Sequence, residues 1–318
     1  MNISTRLGAL AAIGLIAVAC STTSTGGSAS PSVASQPPVT EAPSVAPSAP
    51  ASSAPEACAK DSLTTIAPGT LTIGTDNPAY PPYFEFSESP TEPWELGDPT
   101  TGGGFEGAFA YALAEQLGFS KEEVAWTVVP FANAFAPGPK QFDIDINQVS
   151  YNAERAANVD MSEGYYFVNQ SVVAVKDTPV ASAKTLTDLK AFRFGAQVGT
   201  TSLTTITGVI APTTEPMVYD TNDAALAALQ AGQIDAIVVD LPTAFFMTAA
   251  QMENGVIVGQ IEGSENTDAE YFSVVLPKDS ELTECINAAI AAMTDDGRLE
   301  AVTQEWLSDK AAAPVLQP

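Results

Sequence analysis

From Leu71 onward, short β-type runs alternate with helical runs, and that alternation leaves few architectures open. LTIGT (71–75) is strand-like, with Leu71 and Ile73 on one face. GAFAYALAEQLG (107–118) places Phe109, Leu113 and Leu117 at helical spacing and is stopped by Gly118. VAWTVV (124–129), FDIDIN (142–147) and SVVAV (171–175) read as further strands. A second unit begins at 176–178. Its runs are a short helix KTLTDLK (184–190), a strand RFGAQVG (193–199) entering a glycine turn, and a helix TTSLTTI (200–206). A strand MVYD (217–220) and a helix DAALAALQAG follow, the helix capped by Asn222 and ended by Gly232. IDAIVVD (234–240) and VIVG (256–259) are strands, and AEYFSVVL (269–276) returns to the first unit. Leu282, Ile286 and Ile290, then Leu299, Val302 and Trp306, mark the apolar stripes of two last helices.

This order predicts an α/β protein with parallel sheets covered by helices on both faces. With crossings near Lys176 and Tyr271, lobe 1 comprises 58–175 and 271–318, and lobe 2 comprises 176–270. The crevice between them lies outside the carboxyl ends of the strands, where open α/β sheets bind ligands.

The N-terminus reads as a lipoprotein signal peptide over 1–20. Arg6 supplies the positive start, 7–19 are apolar or small, and IAVAC resembles a lipobox with Cys20 as the lipidated residue. Residues 21–57 are mostly Ser, Thr, Ala, Pro and Gly with two charges, Glu41 and Glu56. That composition buries too little apolar surface to fold and predicts a disordered tether. Two further cysteines, Cys58 and Cys285, lie in an oxidising compartment and are expected to pair as a disulfide.

The formal charge of −26 excludes nucleic acid as a partner, because phosphate binding needs clustered Lys and Arg. There is no histidine. Ser-His-Asp, Cys-His and His-zinc chemistry is therefore excluded, and no metal or cofactor site is expected. Catalysis on carboxylates or lysine stays open.

Within 142–167, FDIDINQVSYNAERAANVDMSEGYYF, Arg155 is one of three arginines outside the leader, with Arg193 and Arg298. A guanidinium grips a carboxylate through two parallel hydrogen bonds, a geometry lysine lacks. Arg155 is read as the clamp for a small ligand's carboxylate. A surface or interdomain ion pair is the competing reading.

Five separated motifs, in order, carry a resemblance. They are LTIGTDNPAYPPYFEF, GGFEGAFAYALAEQLG, the 142–167 stretch, FGAQVGTTS and ALQAGQIDAIVVD. Together they resemble the bacterial extracellular solute-binding proteins of family 3, amino-acid receptors of ABC importers, over most of 60–310. The resemblance implies a two-lobed periplasmic-binding-protein fold (Venus-flytrap, type II) with a two-segment hinge. Arg155 matches the arginine for the α-carboxylate, and Thr200 and Thr201 the second-lobe turn that completes that site. Asp240 matches the acid for the α-ammonium. Gln148 and Ser150 match first-lobe contacts to the ligand's polar groups, and Tyr80 and Phe131 the aromatic walls. The implied partners are a free amino acid and ABC permease subunits. The protein would be a monomer, lipid-anchored at the outer face of a bacterial cell membrane.

Three features depart from the family pattern: a long 87–104 loop containing Trp94, a Pro/Gly turn in 131–143, and Gln148 where relatives have a small residue. Two other functions fit the same scaffold. One is a cyclohexadienyl-dehydratase-like enzyme using Glu85 or Glu154. The other is a ligand-sensing lipoprotein without transport.

Overall fold

The structure of the chain, a computed structural model, describes residues 58–262, 270–307 and 313–318. The expected signal peptide, Cys20 and the 21–57 tether lie outside the described residues. Ten strands are present among the described residues: β1 Leu71–Thr75, β2 Val124–Val128, β3 Ile144–Asp145, β4 Asp160–Phe167, β5 Gln170–Val175, β6 Phe194–Gln197, β7 Met217–Tyr219, β8 Ala236–Asp240, β9 Gly255–Ile261 and β10 Tyr271–Leu276. The helices are α1 Phe105–Gln116, α2 Phe131–Ala134, α3 Ala153–Ala156, α4 Leu186–Leu189, α5 Thr201–Thr205, α6 Asn222–Gln230, α7 Leu241–Phe246, α8 Thr283–Asp295 and α9 Arg298–Leu307.

The strands form two five-stranded sheets, ordered β2-β1-β3-β10-β4 and β7-β6-β8-β5-β9. Unbroken apolar runs such as β8 arise because both sheet faces are covered. Ala236 and Val238 join one apolar cluster, while Ile237 and Val239 join another on the opposite face. In the first lobe, Leu71 and Ile73 of β1 pack with Phe109 and Leu113 of α1 and with Ile286 and Ile290 of α8. The expected spacing of apolar residues along α1 and α8 thus becomes the main core.

The sheets are mixed, not parallel as expected. β10 runs antiparallel to β3 and β4, and β5 runs antiparallel to β8 and β9. The reason is connectivity. β5 and β10 enter their sheets directly from the other lobe, with no crossover helix to restore direction.

The same connectivity moves the lobe boundaries. Residues 170–175 belong to the second sheet, so the first crossing lies at 168–169 and not after Val175. At the return to the first lobe, the carbonyl of Glu270, just before β10, accepts Val168 N–H at 3.0 Å. The C-terminal end of the 271–318 range also packs away from the first lobe. Leu316 is buried in the second-lobe core, and its N–H donates to the Gln260 carbonyl at 2.9 Å. Strand periodicity reports burial, and it carries no label for which sheet a strand joins. At α6, the N-cap is Thr221, whose hydroxyl accepts Ala224 N–H at 3.1 Å, one residue before the expected Asn222.

Cys58 and Cys285 form a disulfide with a Cα–Cα distance of 5.3 Å, tying the start of the described body to α8. The bridge spans 227 residues of sequence, so it removes much entropy from the unfolded chain. A Cys58→Ser/Cys285→Ser double variant should lose roughly 2–4 kcal/mol in denaturant unfolding. An unchanged midpoint would show that the closed loop adds no stability.

Candidate functional site

A cavity opens between the lobes at the carboxyl ends of β1, β3, β6 and β8. Arg155, Gln148, Tyr80 and Phe131 line it from the first lobe, and Thr200, Thr201 and Asp240 from the second. Ser150 does not line it. Its hydroxyl is spent on Glu270, donating to Oε1 at 2.6 Å.

Arg155 sits in α3, where Asn152 caps the helix by accepting the Arg155 N–H at 2.8 Å. The side chain is buried at 4% exposure. Nη1 donates to the Ser150 carbonyl, and Nη2 crosses to the Gly199 carbonyl of the second lobe at 2.8 Å. Gly199 turns with φ +75°, a left-handed conformation that a β-carbon strains, and this aims its carbonyl at Arg155. The guanidinium also lies over the rings of Phe135 at 4.4 Å and Phe131 at 5.6 Å. Burial lowers its pKa to about 10, with Glu270 and Asp240 acting in the opposite direction.

Arg193 and Arg298 pair with Asp235 and Asp296. Arg155 has no carboxylate within ion-pair distance among the described residues. The competing reading of Arg155 as an interdomain ion pair therefore fails for the described residues. Its remaining N–H groups are available to an anion.

Asp240 ends β8 and precedes α7, yet its side chain makes no cap hydrogen bond there. Instead Oδ1 accepts Gln170 Nε2 at 2.7 Å. The same amide nitrogen donates to both oxygens of Glu270 at 3.2 Å, and Gln170 Oε1 accepts from the buried Ser202 hydroxyl at 2.7 Å. Burial, and next the charge of Glu270, raise the Asp240 carboxyl well above the usual carboxylate range. Asp240 is thus a carboxylate that gains from a neighbouring cation.

Thr200 caps α5, its Oγ accepting Leu203 N–H at 3.2 Å and donating to the Gln197 carbonyl at 2.8 Å. Gln148 lies at φ 49°, a conformation costing a non-glycine residue about 1–2 kcal/mol. Two donations to one buried acid hold it there: its N–H reaches Glu106 Oε1 at 2.8 Å, and its side-chain amide reaches Oε2. Tyr165 adds a third donor to Glu106 at 2.6 Å. The Gln148 side chain is thus turned toward Glu106.

Among the described residues, three hydrogen bonds cross the cleft and define a closed arrangement. They are Arg155 to Gly199, Tyr80 hydroxyl to Asp223, and the Tyr83–Thr243 hydroxyl pair at 3.3 Å.

Sequence reasoning missed Asp76, Asn147, Gln170, Ser202, Asp223 and Glu270. Asp76 follows β1 directly, and Asn147 follows the β3 run; the carboxyl-end rule for strands marks both. Asn147 is buried and lines the cavity, and its Nδ2 has no partner among the described residues. Gln170 and Glu270 carried no signal, because the hinge itself was misplaced. Trp94 is buried within the 87–104 loop at 5% exposure and does not line the cavity. Glu85 and Glu154, the candidate enzymic acids, are exposed and also lie off it.

Comparison with known proteins gives a consistent neighbourhood. The sequence model of the bacterial extracellular solute-binding proteins, family 3, matches residues 71–309. The chain is 30% identical over 245 residues to the L-cystine-binding protein TcyJ of Escherichia coli (strain K12), covering 75% of this chain and 82% of the relative. It is 29% identical over 210 residues to ABC transporter arginine-binding protein 1 of the same organism, covering 64% of this chain and 81% of the relative. Among solved structures, an ancestral arginine-binding protein bound to arginine superposes with a TM-score of 0.58 at 27% identity, covering 75% of this chain and 98% of that one.

The buried Glu106 carboxyl generates a pH prediction. Burial raises its pKa from 4.5 to about 7, against the three donors that favour the charged form. A raised carboxyl stabilises the fold below its unfolded pKa, and that contribution is lost as pH rises through the folded pKa. Between pH 5 and pH 8 the loss from this group should be on the order of 2–3 kcal/mol. Glu106→Gln should flatten the decline in melting temperature over that range. An unchanged pH slope would place the titration elsewhere.

Proposed function

The chain belongs to the bacterial extracellular solute-binding proteins of family 3, and from that premise we propose that it is an amino-acid receptor of an ABC importer. It captures a free amino acid between its lobes and delivers it to permease subunits. The α-carboxylate is held by Arg155, supported by Thr200 and Thr201, and the α-ammonium by Asp240. A polar side chain extends along the cavity between Tyr80 and Phe131. The body acts as a monomer, tethered by 21–57 to a lipid anchor at Cys20 on the outer face of the membrane, and it is not an enzyme.

The observation that carries this reading is the buried Arg155, which has no carboxylate partner among the described residues and faces the same cavity as an acid of raised pKa on the other lobe. A zwitterion supplies what each lacks. The two groups belong to different lobes, so only the closed form satisfies both ends of the ligand. Ligand thereby shifts the population toward closure through differential affinity. The exposure of Glu85 and Glu154 away from the cavity removes the reason to prefer the dehydratase reading.

A thermal-shift and calorimetric screen of the common amino acids on the purified protein is expected to find stoichiometric binding. Arg155→Ala should weaken it roughly 100-fold or more, as for truncation of one partner of a buried charge pair. No binding by any amino acid would contradict the reading.

Asp240 yields a second test. Its raised carboxyl must ionise to receive an ammonium, so binding near neutral pH should release protons and affinity should rise with pH. Calorimetry in buffers of different ionisation enthalpy measures this directly. Proton uptake, or no exchange in the wild type, would contradict the role given to Asp240.

A further inference from the structure

The cavity's charges do not balance for a simple zwitterion. Its lining contains one basic side chain, Arg155, and three carboxylates, Asp76, Asp223 and Asp240. If Arg155 and Asp240 take the two α-groups, Asp76 and Asp223 are left over. They come from opposite lobes. Asp76 follows β1 in the first lobe, and Asp223 lies in the first turn of α6 in the second.

Neither has a basic partner among the described residues. Their hydrogen bonds are all to neutral donors. Asp76 accepts the N–H groups of Asn77 at 2.8 Å and Phe131 at 3.3 Å. Asp223 accepts the Tyr80 hydroxyl and Gln251 Nε2 at 3.3 Å. An ionised carboxylate has about four acceptor positions, so each retains capacity for another donor.

Both acids line the cavity with Tyr80. The Tyr80 hydroxyl donates to Asp223, and burial first, then the charges of Asp223 and Asp76, raise its pKa. The cavity lining here includes two aromatic side chains, Tyr80 and Phe131. The other polar groups near Asp223, on Gln197 and Asn222, are uncharged, and Gln197 Oε1 accepts the Asn222 N–H at 3.1 Å.

We propose that the ligand is an amino acid whose side chain ends in a cation, such as a guanidinium or a second ammonium, and that Asp76 and Asp223 bind that cation from opposite lobes of the closed cleft. This rests on the reading of the cavity as an amino-acid site. A ligand with a second carboxylate at its far end fits poorly. It would bring an anion against two carboxylates, with the cavity's one basic group already engaged. That argument disfavours acidic amino acids.

The test is a calorimetric series on the purified protein using pairs matched in shape and differing in distal charge. Arginine is compared with citrulline and lysine with norleucine, with glutamine, glutamate and cystine alongside. Arginine or lysine should bind roughly 10- to 100-fold more tightly than its neutral partner, the range for a hydrogen bond to a charged group. Asp76→Asn and Asp223→Asn should each shrink the arginine-to-citrulline ratio. The ligand series on the unaltered protein decides the matter even if a variant folds poorly. Citrulline or glutamine binding as tightly as arginine would overturn the distal-cation assignment while leaving the amino-acid reading intact. Binding by none of the compounds would overturn both.

Discussion

A guanidinium taken out of water without a carboxylate to meet it is the constraint around which this protein is arranged. Desolvating a full charge costs several kcal/mol unless hydrogen bonds and opposite charge replace the water. Around Arg155 the replacement is partial. Two carbonyls and two phenylalanine rings receive the cation, and the nearest acids act on it only at longer range. One of those carbonyls belongs to the opposite lobe, so even this partial satisfaction depends on closure. On the proposed reading, a bound carboxylate would complete what the fold leaves incomplete and so couple affinity to closure.

The hinge is wired into the same site. Gln170 opens the first strand of the second lobe after the crossing, and Glu270 stands just before the strand that returns. The Gln170 amide bridges Glu270 and Asp240, while Glu270 also holds the Ser150 hydroxyl of the first lobe. Ser150 in turn offers its carbonyl to Arg155. Asp240 and Arg155 are therefore linked through residues at the two crossings. Rotation of the lobes changes the surroundings of both charges together, a two-position element of the kind that hinge closure requires.

How much of this was legible in the sequence depends on what each pattern encodes. Apolar spacing found α1, α8 and the buried strand β8, because burial on one or both faces writes itself into residue order. The isolation of Arg155 in an acidic chain was visible because charge is countable. The sheet membership of β5 and the position of the hinge were not visible, since a strand buried in one lobe reads like a strand buried in the other. Gln170 and Glu270 were lost with the hinge. Ser150 was placed in the right neighbourhood, but its hydroxyl faces Glu270, and one-dimensional spacing does not show where a side chain turns. Asp76 and Asp223 carry no distinguishing pattern in one dimension, and only their shared place on the cavity wall sets them apart.

The most direct test of the account is a crystal structure of the protein grown with an equimolar mixture of the common L-amino acids. The account predicts one amino acid in the interlobe cavity, its carboxylate on Arg155 and the start of α5 and its ammonium against Asp240. Arg155 bonded only to protein carbonyls, with the ligand outside the cleft or its carboxylate held elsewhere, would contradict it.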